Sequence, residues 1–245
     1  MLSRLVTYGF GLAILQLLIA CGPASEENGA LPGAQQQTVV DAEGAQAPVA
    51  EADTLILAFG DSLYAGYGLA PDEGLVPELQ KALTDAGHDV RVHNAGVSGD
   101  TTAAGLRRLD FVLDSLSRKP DLVLLGLGGN DLLRGLKPSE TRANMDAMVK
   151  KLTERDIPVI LTGMLAPPNM GKEFVDQFNI IYPLLALEYD ATLYPFFMDG
   201  VVGRPDLILP DGIHPNAKGI DVIVEKLTPT VEKALKKQAK KEAAK

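Results

Sequence analysis

The sequence predicts an α/β fold with a central parallel sheet of about five strands, covered by helices on both faces. Three observations lead there. Five short stretches rich in Leu, Ile and Val recur between residues 54 and 196, each closing on glycine, proline or polar turn residues. Segments with apolar residues at helical spacing separate them. Strands alternating with helices imply right-handed βαβ crossovers, which make the sheet parallel and bury both its faces.

The first strand is Thr54-Leu55-Ile56-Leu57-Ala58, which stops at Gly60-Asp61-Ser62; apolar spacing resumes at Leu75, Leu79 and Leu83. Residues Val90 to Asn94 read as the second strand and run into Ala95-Gly96-Val97-Ser98-Gly99-Asp100. Thr101 or Thr102 suits the cap of a helix with Leu106, Leu109, Val112, Leu113 and Leu116 on one face. The third strand, Leu122 to Leu127, is almost wholly apolar, as a strand covered on both faces should be. It leads into Gly128-Gly129-Asn130-Asp131. Pro138 and Ser139 open a helix to about Arg155, and Pro158 to Met164 forms the fourth strand. A loop from Leu165 to Gly171 precedes one helix carrying Phe174, Phe178, Ile181 and Leu185. Thr192 to Phe196 is a short fifth strand. A polar loop then holds Asp211-Gly212-Ile213-His214-Pro215, and Ala217 begins the last helix. Every loop named except the last clearly follows a strand, so these loops gather at the edge where open α/β folds place their ligands.

The 245 residues suffice for one sizeable α/β domain, here from Thr54 to about Lys236. A net charge of −9 argues against a nucleic-acid surface. Residues 22–53 contain six acidic residues and no Lys or Arg, whereas Lys233 to Lys245 hold six lysines against one Glu. The lysine-rich tail, residues 237–245, reads as the solvated end of the final helix. A single Cys excludes an intramolecular disulfide and a cysteine-based metal cluster. Arg4 followed by an apolar run to Ala20 has the pattern of a secretory signal. Its end, Leu18-Ile19-Ala20-Cys21, resembles the lipobox of bacterial lipoprotein precursors. That resemblance implies lipidation of Cys21 and, with Gly22 next, an exported, periplasmic protein anchored to the outer membrane. Residues 21–53, rich in Gly, Ala, Pro, Gln and Glu, then read as a flexible acidic tether.

Chemistry centres on Ser62. Alone, a serine at a strand-to-helix turn is ordinarily a cap or turn residue. A nucleophilic serine needs a base, and His is the side chain whose unperturbed pKa suits that task near neutral pH. Of three histidines, His88 falls in a turn at the opposite edge and His93 alternates with Val90 and Val92 inside a strand. His214 follows Asp211 by three residues, a spacing that sets a carboxylate beside Nδ1–H and leaves Nε2 for a serine. Gly99 and Asn130 offer a backbone N–H and a side-chain amide from strand-end loops, as an oxyanion requires. Neither a complete G-x-G-x-x-G pattern nor a Walker A sequence is present, so no cofactor is expected. Asp61, Asp100 and Asp131 read as turn or capping residues, and no metal is expected. Tyr64, Tyr67, Met164, Leu165, Pro167 and Met170 are the apolar loop residues assigned to the acyl or aryl pocket.

The blocks Gly60-Asp61-Ser62-Leu63, Ser98-Gly99-Asp100, Gly128-Gly129-Asn130-Asp131 and Asp211-Gly212-Ile213-His214-Pro215 resemble, in order and spacing, the four signature blocks of the SGNH (GDSL) hydrolases. The similarity is greatest to the bacterial arylesterase and multifunctional esterase, thioesterase and lysophospholipase branches. It implies a flavodoxin-like three-layer α/β/α sandwich, Ser62, Asp211 and His214 as a triad, and an oxyanion hole from the Ser62 and Gly99 N–H groups with Asn130. The implied activity is metal-independent hydrolysis of small aryl or acyl esters, thioesters or lysophospholipids. Alternatives are a carbohydrate acetyl esterase of the same family and, in other classes, a solute-binding or interaction lipoprotein. Tyr64 departs from the small residue common in the thioesterase-like members.

Overall fold

The computed structural model describes residues 52–243. The expected signal, Cys21 and the expected tether as far as Glu51 lie outside the described residues. Five parallel strands form one sheet: β1 (Thr54–Gly60), β2 (Val90–Gly96), β3 (Leu122–Gly126), β4 (Val159–Thr162) and β5 (Thr192–Tyr194), in the order β2-β1-β3-β4-β5. The chain leaves β1 first to one side and then to the other. In such sheets the crevice between β1 and β3, outside the carboxyl ends of the strands, receives the ligand.

Alternation along the strands builds two cores. Ile56, Ala58, Leu122 and Leu124 face α2 (Leu75–Asp85) and α8 (Ala217–Ala243). Leu57, Phe59, Val123 and Leu125 face α3 (Thr102–Ser115), α5 (Pro138–Glu154) and α7 (Ile181–Glu188). Successive residues of a strand point to opposite faces, so a sheet buried on both sides needs the uninterrupted apolar runs seen in β1 and β3. The three-layer sandwich is the architecture that the sequence predicts.

Strand ends shift by one or two residues from the sequence reading, and three differences bear on the site and its surroundings. The segment after Ser62 is a single turn, α1 (Ser62–Ala65), stopped by Gly66 in the left-handed region at φ 77°. β2 extends two residues further, because Ala95 and Gly96 still pair with Phe59 and Gly60. The helix expected across Phe174 to Leu185 is two, α6 (Lys172–Asn179) and α7, joined at Ile180. Pro183 accounts for the break: it has no N–H for the Asn179 carbonyl, so the helical ladder must restart. The lysine-rich stretch continues α8 as far as Ala243, with Lys237 and Lys241 paired to Asp190.

The turn carrying Ser62 lies against a row of glycines. Gly96, Gly60 and Gly126 sit side by side across β2, β1 and β3. A Cβ at any of them would collide with the backbone or ring of Tyr64 or with Ala65. The missing side chains let α1 lie flat on the sheet, and they give the Tyr64 ring a slot reaching across to β4. There its hydroxyl is hydrogen-bonded to Thr162 Oγ1 at 2.7 Å, and the ring stacks on Phe197 with centroids 5.6 Å apart.

Candidate active site

β1 ends at Gly60, and Asp61 caps the α1 turn by accepting the Leu63 N–H at 3.1 Å. Ser62 is thus the first residue of a one-turn helix at the carboxyl edge. A helix leaves its first N–H groups without intrahelical partners. Among the described residues, the N–H groups of Ser62 and Gly99 have no acceptor within the chain.

The imidazole arrives from the far end of the sequence. The loop before α8 is closed by Leu209 N–H donating to His214 O at 2.7 Å and by Gly212 N–H donating to Leu209 O at 3.0 Å. Gly212 occupies the left-handed region at φ 74° in that turn. Asp211 Oδ1 accepts the N–H groups of Ile213 (2.9 Å) and His214 (3.0 Å), and Oδ2 accepts His214 Nδ1–H at 2.6 Å. The backbone donors, ahead of the imidazole, pull the Asp211 carboxyl down to about 2, so it stays ionised at neutral pH. His214 Nε2 lies 2.8 Å from Ser62 Oγ. The Tyr67 ring packs on the imidazole with centroids 4.5 Å apart. One chain of hydrogen bonds therefore runs from Asp211 through His214 to Ser62, leaving Nε2 as the proton acceptor.

The other two loops line the same groove as Ser62. Gly99 follows β2 in the left-handed region at φ 84°. Asn130 lies in the short helix α4 (Gly129–Leu133) after β3, and its Nδ2 donates to Asp61 Oδ2 at 3.2 Å. A Cβ at Gly129 would stand 3.3 Å from Asp61 Oδ2, a tight contact that the carboxylate would have to yield to. Arg108 binds two of the loops together. Its guanidinium lies 3.9 Å above the Phe59 ring and donates to Gly60 O (2.9 Å) and to Asp100 (2.6 Å). Asp131 points inward and accepts from Thr102 N–H (2.8 Å) and from the Thr141 hydroxyl (3.1 Å). Asp61 caps α1, whereas Asp100 pairs with the Arg108 guanidinium and Asp131 is a buried acceptor for groups of α3 and α5, roles that the turn-or-cap reading does not contain.

Asp61 is the buried carboxyl nearest the chemistry, with 3% of its surface exposed. Burial pushes its pKa up to about 6, outweighing the Leu63 N–H, the Asn130 amide and His214, which all favour the anion. The folded chain then holds a proton that the unfolded chain releases near pH 4. Stability from this group is greatest at acid pH, falls as the pH rises from about 4 to about 6, and is level above. Asp61→Asn removes this term while other carboxylates titrate alike in both proteins. The Tm difference, wild type minus variant, should therefore drop by roughly 5 °C across that window. Parallel Tm-against-pH curves by calorimetry check it; a constant offset would refute the assignment.

A groove of about 320 Å³ opens over Ser62. Its apolar walls are Leu63, Tyr67, Leu132, Leu133, Met164, Met198 and Ile213, with Ser98, Gly99, Gly129 and Asn130 on the polar side. Tyr67 and Met164 take the places expected of them. Tyr64 does not: it is 1% exposed, beneath the groove, because the glycine row draws its ring into the sheet. Leu165 and Pro167 are exposed outside the groove, and Met170 packs on the α3/α5/α7 core. Leu63, Leu132, Leu133, Met198 and Ile213 escape the sequence reading, although four of them adjoin or closely follow a signature residue. His88 is bound to Glu232 at 3.0 Å, and His93 is half-buried within β2.

The GDSL-like Lipase/Acylhydrolase family model matches residues 58–222. Esterase TesA of Pseudomonas aeruginosa is 40% identical over 186 residues, covering 76% of this chain and 91% of that protein. The arylesterase of Vibrio mimicus is 39% identical over 175 residues, 71% of this chain and 86% of that protein. Among solved structures, AlinE4, an SGNH-hydrolase family esterase, is 53% identical with a TM-score of 0.64, covering 74% of this chain and 96% of that one. The family match spans all four loops that converge on Ser62, so the chain belongs to the GDSL-like lipase/acylhydrolase (SGNH) family and is a hydrolase of the esterase type.

Proposed function

We propose that this protein hydrolyses carboxylic esters through an acyl-enzyme formed on Ser62. The observation that carries the reading is the hydrogen-bond chain in which His214 Nε2 stands 2.8 Å from Ser62 Oγ while Asp211 holds Nδ1 at 2.6 Å. Ser62 Oγ attacks the ester carbonyl as His214 Nε2 takes its proton. The C–O bond then breaks, and the same proton goes to the departing alkoxide or phenoxide. Water, deprotonated by His214, cleaves the acyl-serine and regenerates the hydroxyl. Asp211, kept anionic by two backbone N–H groups, stabilises the imidazolium in both halves. The unoccupied N–H groups of Ser62 and Gly99, with the Asn130 amide, receive the carbonyl oxygen as its charge develops.

The groove favours small acyl or aryl esters: its walls are apolar, and it is open rather than a tunnel into the core, which Tyr64 fills. Seven apolar side chains in the walls speak against a carbohydrate acetyl ester, whose hydroxyls need polar partners. Thioester and lysophospholipid cleavage would use the same machinery. A fluorophosphonate should label the full chain once, on Ser62, with loss of p-nitrophenyl acetate turnover in step. Labelling elsewhere, or turnover that survives stoichiometric labelling, would overturn the proposal. Profiling p-nitrophenyl esters from C2 to C12 then measures acyl preference.

A further inference from the structure

Two of the three proposed oxyanion donors, Gly99 and Asn130, come from separate loops, and one exposed side chain joins those loops. Arg134 caps the carboxyl end of α4, its backbone N–H donating to Asn130 O at 3.1 Å. Its guanidinium Nη2 reaches the neighbouring loop and donates to Gly99 O at 2.7 Å. The Gly99–Asp100 peptide is thereby held at both ends, because Asp100 N–H donates to Val97 O at 3.1 Å. Gly99 itself, at φ 84°, belongs to the residue type that moves most freely between left- and right-handed backbone. Without a restraint on its carbonyl, the Ser98–Gly99 peptide can rotate and carry the free Gly99 N–H away from Ser62.

We infer that Arg134 is a positioning residue of the oxyanion hole, which fixes the Gly99 N–H relative to Asn130 by holding the Gly99 carbonyl. The inference rests on the reading of Ser62 as the nucleophile. Arg134 is not among the residues lining the groove, and it lies on the surface, so replacing it leaves no internal void. Arg108 works from the buried side, through Asp100 and Gly60, and leaves the Gly99 carbonyl to Arg134.

The test uses the full chain with p-nitrophenyl acetate and a fluorophosphonate. Removing one oxyanion donor outright typically lowers kcat about 10²–10³-fold; loosening one should cost less, about 10–50-fold in Arg134→Met. KM should stay within about twofold and Tm within about 2 °C, and phosphonylation of Ser62 should slow in parallel. Arg134→Lys should recover part of the loss, since an ammonium can make the single bond. Guanidinium at about 50 mM should partly rescue Arg134→Ala and leave wild type unchanged, with sodium chloride as control. An unchanged kcat in Arg134→Met overturns the inference. So does a loss confined to KM, a loss that follows Tm, or one that neither lysine nor guanidinium reverses. If wild type is labelled normally and Arg134→Met behaves identically, only the role of Arg134 falls. If wild type neither turns over nor labels at Ser62, the nucleophile reading falls first and takes this role with it.

Discussion

Ser62→Ala should lower kcat for p-nitrophenyl acetate by about 10⁴–10⁶-fold with Tm unchanged. The hydroxyl is a small group on a turn held by other bonds: the Asp61 cap, the Tyr67 N–H to Ser62 O contact at 3.2 Å and the Tyr64 ring below. Removing it therefore affects chemistry and not folding. His214→Ala should cost a similar factor, and Ser62→Ala with His214→Ala should be scarcely worse than either alone, because a nucleophile and its base act as one unit. Additive losses in this cycle would mean that the 2.8 Å contact between them is not used in turnover. Steady-state kinetics on the three variants, after titrating out trace contaminant esterase, settles the matter.

The largest stability effect is expected at Tyr64. Tyr64→Ala should destabilise the domain by about 3–5 kcal/mol, the usual cost of emptying an aromatic site in a packed core. The ring is 1% exposed, stacks on Phe197, and fills the slot that Gly60 and Gly126 leave open. Tyr64→Phe separates packing from hydrogen bonding. It keeps the ring but leaves Thr162 Oγ1 with only the Leu125 carbonyl at 3.4 Å, which should cost about 1–2 kcal/mol. Urea unfolding of the two variants measures both terms. Because α1 rests on this ring, Tyr64→Ala should also depress kcat more than KM, as Ser62 loses its fixed place. A Tyr64→Ala protein as stable as wild type would show that the sheet closes over the vacancy.

The position also shows where local reading stops. Two residues beyond the serine, in a loop full of turn residues, a tyrosine reads as a pocket side chain. Its true location depends on Gly96, Gly60 and Gly126 falling in one row, which is a matter of strand register. Register here pairs Gly60 with Gly96 and with Gly126, far apart in sequence, and no local pattern contains it. The same holds for the groove wall at Met198, which reaches the site where the chain after β5 is bonded to the end of β4, Phe197 N–H donating to Gly163 O at 2.8 Å.

Other features are local and were therefore legible. The apolar runs of β1 and β3 suit a sheet buried on both faces, and the alternation with helices makes it parallel. Parallel strands send all their following loops to one edge, so Ser62, Gly99 and Asn130 could be placed together before any distance was known. The Asp211–His214 pair was readable because a three-residue turn suffices to bring carboxylate and imidazole together. Residue order and periodicity by themselves determined the layers and the sheet edge at which the loops of Ser62, Gly99 and Asn130 gather. Tertiary structure alone decided which face each loop side chain takes, that burial holds a proton on Asp61 up to a pH of about 6, and that Arg134 reaches Gly99. Those outcomes depend on desolvation and packing between segments distant in the chain, and these exist only once the sheet has closed.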